Sequence, residues 1–168
     1  MKSRLARAAL LACALASPAT AFAGPAECDA ISKAMLAVPD QPGVRQVMML
    51  SPTQAGPTSI LHRDAMYMRE DEAKAWMKVP LDAGKRRAMA EAGLKALPLS
   101  DCQSAAGETL GGVAVSVYAF KQPNPLKPGD MASSRILVGA SDGLPRRMDL
   151  PDGMAMTFEY GDFPAPTP

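Results

Sequence analysis

Histidine is nearly missing from this chain and aromatic side chains are scarce: 168 residues hold one His, one Trp, three Tyr and four Phe. A serine or cysteine nucleophile that relies on an imidazole base would have to use His62, because no other is present. His62 stands beside Arg63 and Asp64 in an extended run. It reads as a surface or edge histidine, and no catalytic residue is assigned. A zinc centre needs three or four His, Cys or carboxylate ligands at suitable spacing, and none is visible, so no metal or other cofactor is expected. The acidic run Glu70, Asp71, Glu72 reads as a solvated turn and not as an acid/base pair.

Charge of one sign is also lacking, with 18 basic against 17 acidic residues. A nucleic-acid partner is therefore not expected, since phosphate neutralisation calls for a basic stripe. The basic clusters Lys85-Arg86-Arg87 and Arg146-Arg147 read as solvated faces. The second pair cannot share one face of a strand, because successive side chains alternate. Nor is there an apolar run of the roughly 20 residues that a transmembrane helix requires.

The N-terminus is organised in another way. Lys2, Arg4 and Arg7 precede an apolar stretch from Ala8 to Ala16, a break at Ser17-Pro18, and the small-residue site Ala21-Phe22-Ala23. That order predicts a cleavable signal peptide over residues 1–23 and release into the periplasm. Leu10-Leu11-Ala12-Cys13 offers a rival reading, lipidation at Cys13, although the apolar segment before it is shorter than the 7 to 15 residues expected. Cleavage after Ala23 would remove Lys2, Arg4 and Arg7 from the 18 basic residues, leaving 15 against 17 acidic ones. The remainder is long enough for one domain, expected over residues 24–163, with a proline-rich disordered tail at 164–168.

Loss of Cys13 leaves Cys28 and Cys102, a pair expected to form a disulfide in an oxidising compartment. Closing a loop of that length is worth roughly 4 kcal/mol by the chain-entropy model. The absence of any Cys-x-x-Cys spacing argues against a reactive thiol pair or a metal site.

Cys28, Ile31, Met35 and Val38 recur at helical spacing, predicting a helix from Ala26 to Val38 that Pro39 ends. Val44 to Leu50 reads as a strand, Ser51 to Pro57 as a loop, and Thr58 to Arg63, Ala65 to Glu70 and Ala73 to Val79 as extended runs. Asp82 to Leu97 suits a second helix or a pair of turns, capped by Asp82. The second half predicts an antiparallel meander over 101–109, 113–122, 133–140, 144–150 and 154–161. Asp142-Gly143 and Asp152-Gly153 are its tight-turn signals.

Methionine is abundant: of 12, all but Met1 survive cleavage, and most fall on the predicted strands. Surfaces rich in this unbranched, polarizable side chain adapt to varied apolar ligands, while the plainer use of methionine is as core filler. Met48, Met66, Met68, Met148 and Met156, with Trp76, are the candidate lining of an apolar cleft.

The runs Arg135-Ile136-Leu137-Val138, Gly143-Leu144-Pro145-Arg146-Arg147, Met156-Thr157-Phe158-Glu159-Tyr160 and Asp162-Phe163 follow one another in a distinctive order, with Trp76 and Val117-Tyr118 ahead of them. In that order the chain resembles the LolA-like group of periplasmic proteins across residues 26 to 163. The resemblance implies an α+β fold in which a curved antiparallel β-sheet, an incomplete barrel, packs on one or two helices with an apolar cavity between. It further implies a non-enzymatic binding protein whose partner is a lipid or a lipoprotein acyl chain, or alternatively an envelope sensor module that binds another protein. The link between the first helix and the middle of the chain is not a feature of the lipoprotein carriers, and their functional arginine has no counterpart here. Both departures place the chain on a separate branch.

Overall fold

The computed structural model describes residues 24–124 and 127–167. The expected signal peptide and Cys13 lie outside the described residues.

Helix α1 (Pro25–Ala37) starts where Gly24 is extended and Pro25 takes the first turn, whose unused N–H a proline does not miss. Glu27 sits in that turn, favourably placed for the positive end of the helix dipole. Strands β1 (Gly43–Ser51), β2 (Gln54–His62), β3 (Ala65–Arg69) and β4 (Met77–Pro80) follow. Helix α2 (Ala83–Ala96) then leads to β5 (Ser100–Leu110), β6 (Val113–Pro123), β7 (Met131–Gly139), β8 (Pro145–Asp149) and β9 (Ala155–Tyr160). All nine strands form one antiparallel sheet in the order β4-β3-β2-β1-β9-β8-β7-β6-β5. The edges β4 and β5 do not meet, so the barrel is incomplete, as the resemblance implies.

Two expectations change in detail. The loop expected over Ser51 to Pro57 shrinks to a turn at 52–53, and β2 runs through Gly56 and Pro57. Val47 pairs with Thr58 and Met49 with Ala55, so Gly56 and Pro57 together oppose Met48 alone. This bulge releases Pro57 from the hydrogen bond it cannot donate. A Cβ on Gly56 would lie 2.8 Å from Leu50 Cγ, so a larger residue there would have to displace the Leu50 side chain. The run Ala73 to Val79 yields a strand only from Met77, because Asp71 Oδ1 accepts from the Ala73 N–H (2.8 Å) and holds the preceding residues in a turn.

Helix α2 is a single helix, its Asp82 cap accepting from the Lys85 N–H at 2.9 Å. Gly143 (φ 69°) and the pair Asp152 (φ 60°) and Gly153 (φ 77°) supply the left-handed turns that the meander was expected to use.

Register assigns every strand residue to a face. Met48, Met156, Met148, Ile136 and Tyr118 form one continuous row across β1, β9, β8, β7 and β6. Ile136 packs with Ile31, Ala34, Phe120, Val138 and Cys102 under α1, and Val38, Val44, Leu61, Leu81 and Phe158 form a second cluster on the same side. The Cys28–Cys102 disulfide, with Cα atoms 5.3 Å apart, ties α1 to β5 within the first cluster. On the opposite face, Val115, Val117 and Leu137 make one cluster. Ile60, Ala65 and Tyr67 make another, against which Trp76 and Phe163 pack.

Candidate functional site

The two helices do not cover the sheet equally. Ile31 and Ala34 of α1 are fully buried against it, whereas the buried residue of α2 is Arg86. Between the end of α1, the inner face of α2 and strands β1, β2, β3 and β9 lies a cleft of about 270 Å³. The α1 side contributes Met35, Val38 and Pro39, and α2 contributes Arg86, Met89 and Ala90. The latter three share one face through their three- and four-residue spacing. The sheet supplies Gln46, Leu61, Met66, Met156 and Phe158, and Leu81 closes the connection before α2. Met89 is 54% exposed and marks the mouth.

Two groups in this lining are polar. Ser59 Oγ donates to Gln46 Oε1 at 3.2 Å, fixing the amide on β1. Arg86, only 9% exposed, donates from Nη1 to the Gln41 carbonyl at 3.4 Å, and its buried Nε has no acceptor among the described residues. The basic cluster read as a solvated face is therefore split. Lys85 pairs with Asp82 at 3.1 Å, Arg87 with Asp40 and Glu91 at 3.1 and 3.0 Å, and Arg86 turns inward. Helical spacing is the reason: residues 86, 89 and 90 face the sheet while 85 and 87 flank them.

Arg87 Nη1 also donates to the Leu36 carbonyl (3.3 Å), so this one side chain latches α2 to the carbonyl-rich end of α1. The hydrogen bond to Glu91, with Asp40 adding to it, raises the Arg87 pKa above its ordinary value. The Asp82 carboxyl is held below the usual carboxylate value, first by the Lys85 N–H and then by the Lys85 side chain.

Of the residues expected to line a cleft, Met66 and Met156 do so. Met148 packs beneath, against both helix-side clusters, and Met48 shares its face beside Met156 in register. Met68 faces the same way but borders a separate concavity with Pro57, Lys74 and Met77 near the β4 edge. Trp76 is not brought to this site. It lies with Ile60, Ala65 and Tyr67 on the opposite face, and the Arg69 guanidinium sits 4.6 Å above its ring. Met35, Met89, Gln46 and Arg86 are among the lining residues that strand-by-strand reading misses. Helical spacing carried the signal for three of them.

The sheet's other face holds a larger concavity of about 510 Å³, lined by Asp101, Lys121, Arg135 and Asp149 among others. Its charges are satisfied internally: Lys121 pairs with Asp101 at 2.9 Å, and Arg135 with Glu108 at 2.5 Å and Asp149 at 3.7 Å. It offers a ligand no uncompensated group.

Arg146 and Arg147 diverge as strand alternation demands. Arg147 pairs with Asp149 at 2.6 Å, while Arg146 pairs with Asp142 and stacks 5.1 Å from the Tyr160 ring. Burial raises the Tyr160 pKa well above its ordinary value, partly opposed by Arg146, and its hydroxyl donates to the Pro145 carbonyl at 2.7 Å. These contacts close one end of the sheet and leave no free base there. His62 alternates with Leu61 onto the face away from the cleft, with Nδ1 unpartnered among the described residues. Among those residues no group of three or more His, Cys, Asp or Glu could hold a metal ion, and no helix is long and apolar enough to cross a membrane.

No protein-family model matches the chain, and no curated protein matches it in sequence. The solved structures that align with it include two mycobacterial proteins. LprF from Mycobacterium bovis aligns with a TM-score of 0.50 at 11% identity, covering 86% of this chain and 97% of that one. The Mycobacterium tuberculosis lipoprotein LppX aligns with a TM-score of 0.49 at 10% identity, covering 86% of this chain and 98% of that one. At such identity the likeness to LprF is one of architecture, and the architecture is the LolA-like one implied by the sequence.

Proposed function

We propose that this domain is a non-enzymatic binding protein of the periplasm, exported on residues 1–23, that holds a single acyl chain between sheet and helices. The observation that carries the reading is the cleft itself: about 270 Å³, walled by Met35, Met66, Met89, Met156, Leu61 and Phe158. That volume sits just below the roughly 300–1,000 Å³ typical of small-molecule sites, which favours one chain over a lipid with several. Methionine walls re-pack readily, so the cleft can widen along a chain without breaking secondary structure. The Cys28–Cys102 disulfide supports an oxidising compartment.

Each buried methylene is worth about 0.8 kcal/mol, so dissociation constants should fall about fourfold per added carbon until the cleft is full, then level off. The test is mass spectrometry of organic extracts from protein purified out of the periplasm, beside an Ala90→Trp variant that fills the cleft. Acyl species on the wild-type protein and none on the variant are expected. Repeated recovery of no acyl species from the wild-type protein would sink the reading.

A further inference from the structure

Resting on that reading, we infer that the bound chain carries an acidic head and that Arg86 is the residue that recognises it, making the ligand a fatty-acid anion. Among the described residues Arg86 is the one buried arginine, and it has no carboxylate partner. Arg45, Arg69, Arg87, Arg135, Arg146 and Arg147 each lie within 4.0 Å of an Asp or Glu oxygen. Arg63 is exposed. Arg86, at 9% exposure, has no acidic partner among the described residues.

A guanidinium placed this deep without a counter-charge is costly to the fold, and a chain that keeps one there gains most when something else brings the negative charge.

The donor inventory says where that charge would sit. Nη1 is engaged by the Gln41 carbonyl at a long 3.4 Å. On the other edge of the guanidinium, which carries Nε and Nη2, Nε is buried with no acceptor in the described residues. That edge is a planar two-donor fork of the kind a carboxylate fills with both oxygens. Met35, Met89, Met156 and Phe158 line the same cleft, and an ion pair formed against such apolar walls is screened less than one on the open surface. A carboxylate on this fork and its tail among the methionines would satisfy both kinds of lining at once. A neutral chain would fill the cleft and leave the guanidinium bare.

The experiment compares dodecanoate with dodecan-1-ol, equal in chain and different in head, by calorimetric titration into exported protein stripped of bound lipid. The wild-type protein should bind the acid about ten- to hundredfold more tightly than the alcohol. Arg86→Met, which keeps the stem and removes the charge, should abolish the preference for the acid over the alcohol. Arg86→Lys should restore part of the difference. Equal binding of acid and alcohol to the wild-type protein, or an acid preference that survives in Arg86→Met, overturns the role of Arg86 and leaves the proposed function standing. Failure of both to bind the wild-type protein overturns the two together. A thermal melt accompanies the titration, and Arg86→Met should melt at or above the wild-type temperature, because a buried unpaired charge has been removed.

Discussion

Helices α1 and α2 lie on the same face of the sheet, yet they are held in opposite ways. Helix α1 buries Ile31 and Ala34 in a core of Phe120, Ile136 and Val138 and is cross-linked to β5 through Cys28 and Cys102. Helix α2 buries an arginine, leaves Met89 largely exposed, and is latched to α1 by Arg87 through Leu36 and Asp40. The first arrangement is what a fixed wall requires. The second suits a wall that shifts to admit a chain, since hydrogen bonds and ion pairs at a surface give way more readily than packed core.

The largest effect expected is on the fixed wall. Ile31→Ala, at a site 1% exposed, should destabilise the protein by about 2–5 kcal/mol, and Cys28→Ser with Cys102→Ser by about 2–4 kcal/mol, both read from urea unfolding. Equal losses from Met89→Ala would erase the contrast; that change should cost less than about 0.5 kcal/mol while weakening chain binding severalfold.

Loosening the latch should act on one helix alone. Arg87→Ala should speed amide hydrogen exchange across residues 83–96 and leave 25–37 unchanged; parallel acceleration of both helices would show that they move as one body.

Acid should produce a smaller, local effect. The Asp82 pKa is lower in the folded protein than its ordinary value of 3.8, so its capping contribution is complete above that value and is lost as pH falls through the folded one. Exchange at the first turn of α2 should rise below that value while α1 is unaffected, and Asp82→Ala should abolish this pH dependence.

The same contrast explains what could be read from the sequence. Helix α1, the meander of β5 to β9, the Asp82 cap and the cysteine pair announce themselves through apolar spacing, turn residues and parity, because each is decided by neighbours a few residues away or by simple counting. The Gly56-Pro57 bulge was hidden, since composition marks those residues as loop and only the partner strand shows that they oppose Met48.

The site was half legible. Alternation put Met48, Met66, Met68, Met148 and Met156 on one face of the sheet, but Trp76 precedes β4 and packs across the opposite face, a choice made by Arg69, Tyr67 and Phe163 from other segments. Its emission should therefore stay constant on ligand binding. Arg86 was obscured by its neighbours: within a run of three basic residues, only the helical phase of α2 against the sheet tells which one turns inward.

The central claim is that a single chain enters between α2 and the sheet, and methionine methyl NMR tests it most directly. With 13C-methyl methionine and added dodecanoate, the signals of Met35, Met66, Met89 and Met156 should shift together and saturate. Met131, 52% exposed on the far β6–β7 hairpin, should stay in place. Shifts at Met131 with none at the four cleft methionines, or no shift at all, would contradict the account.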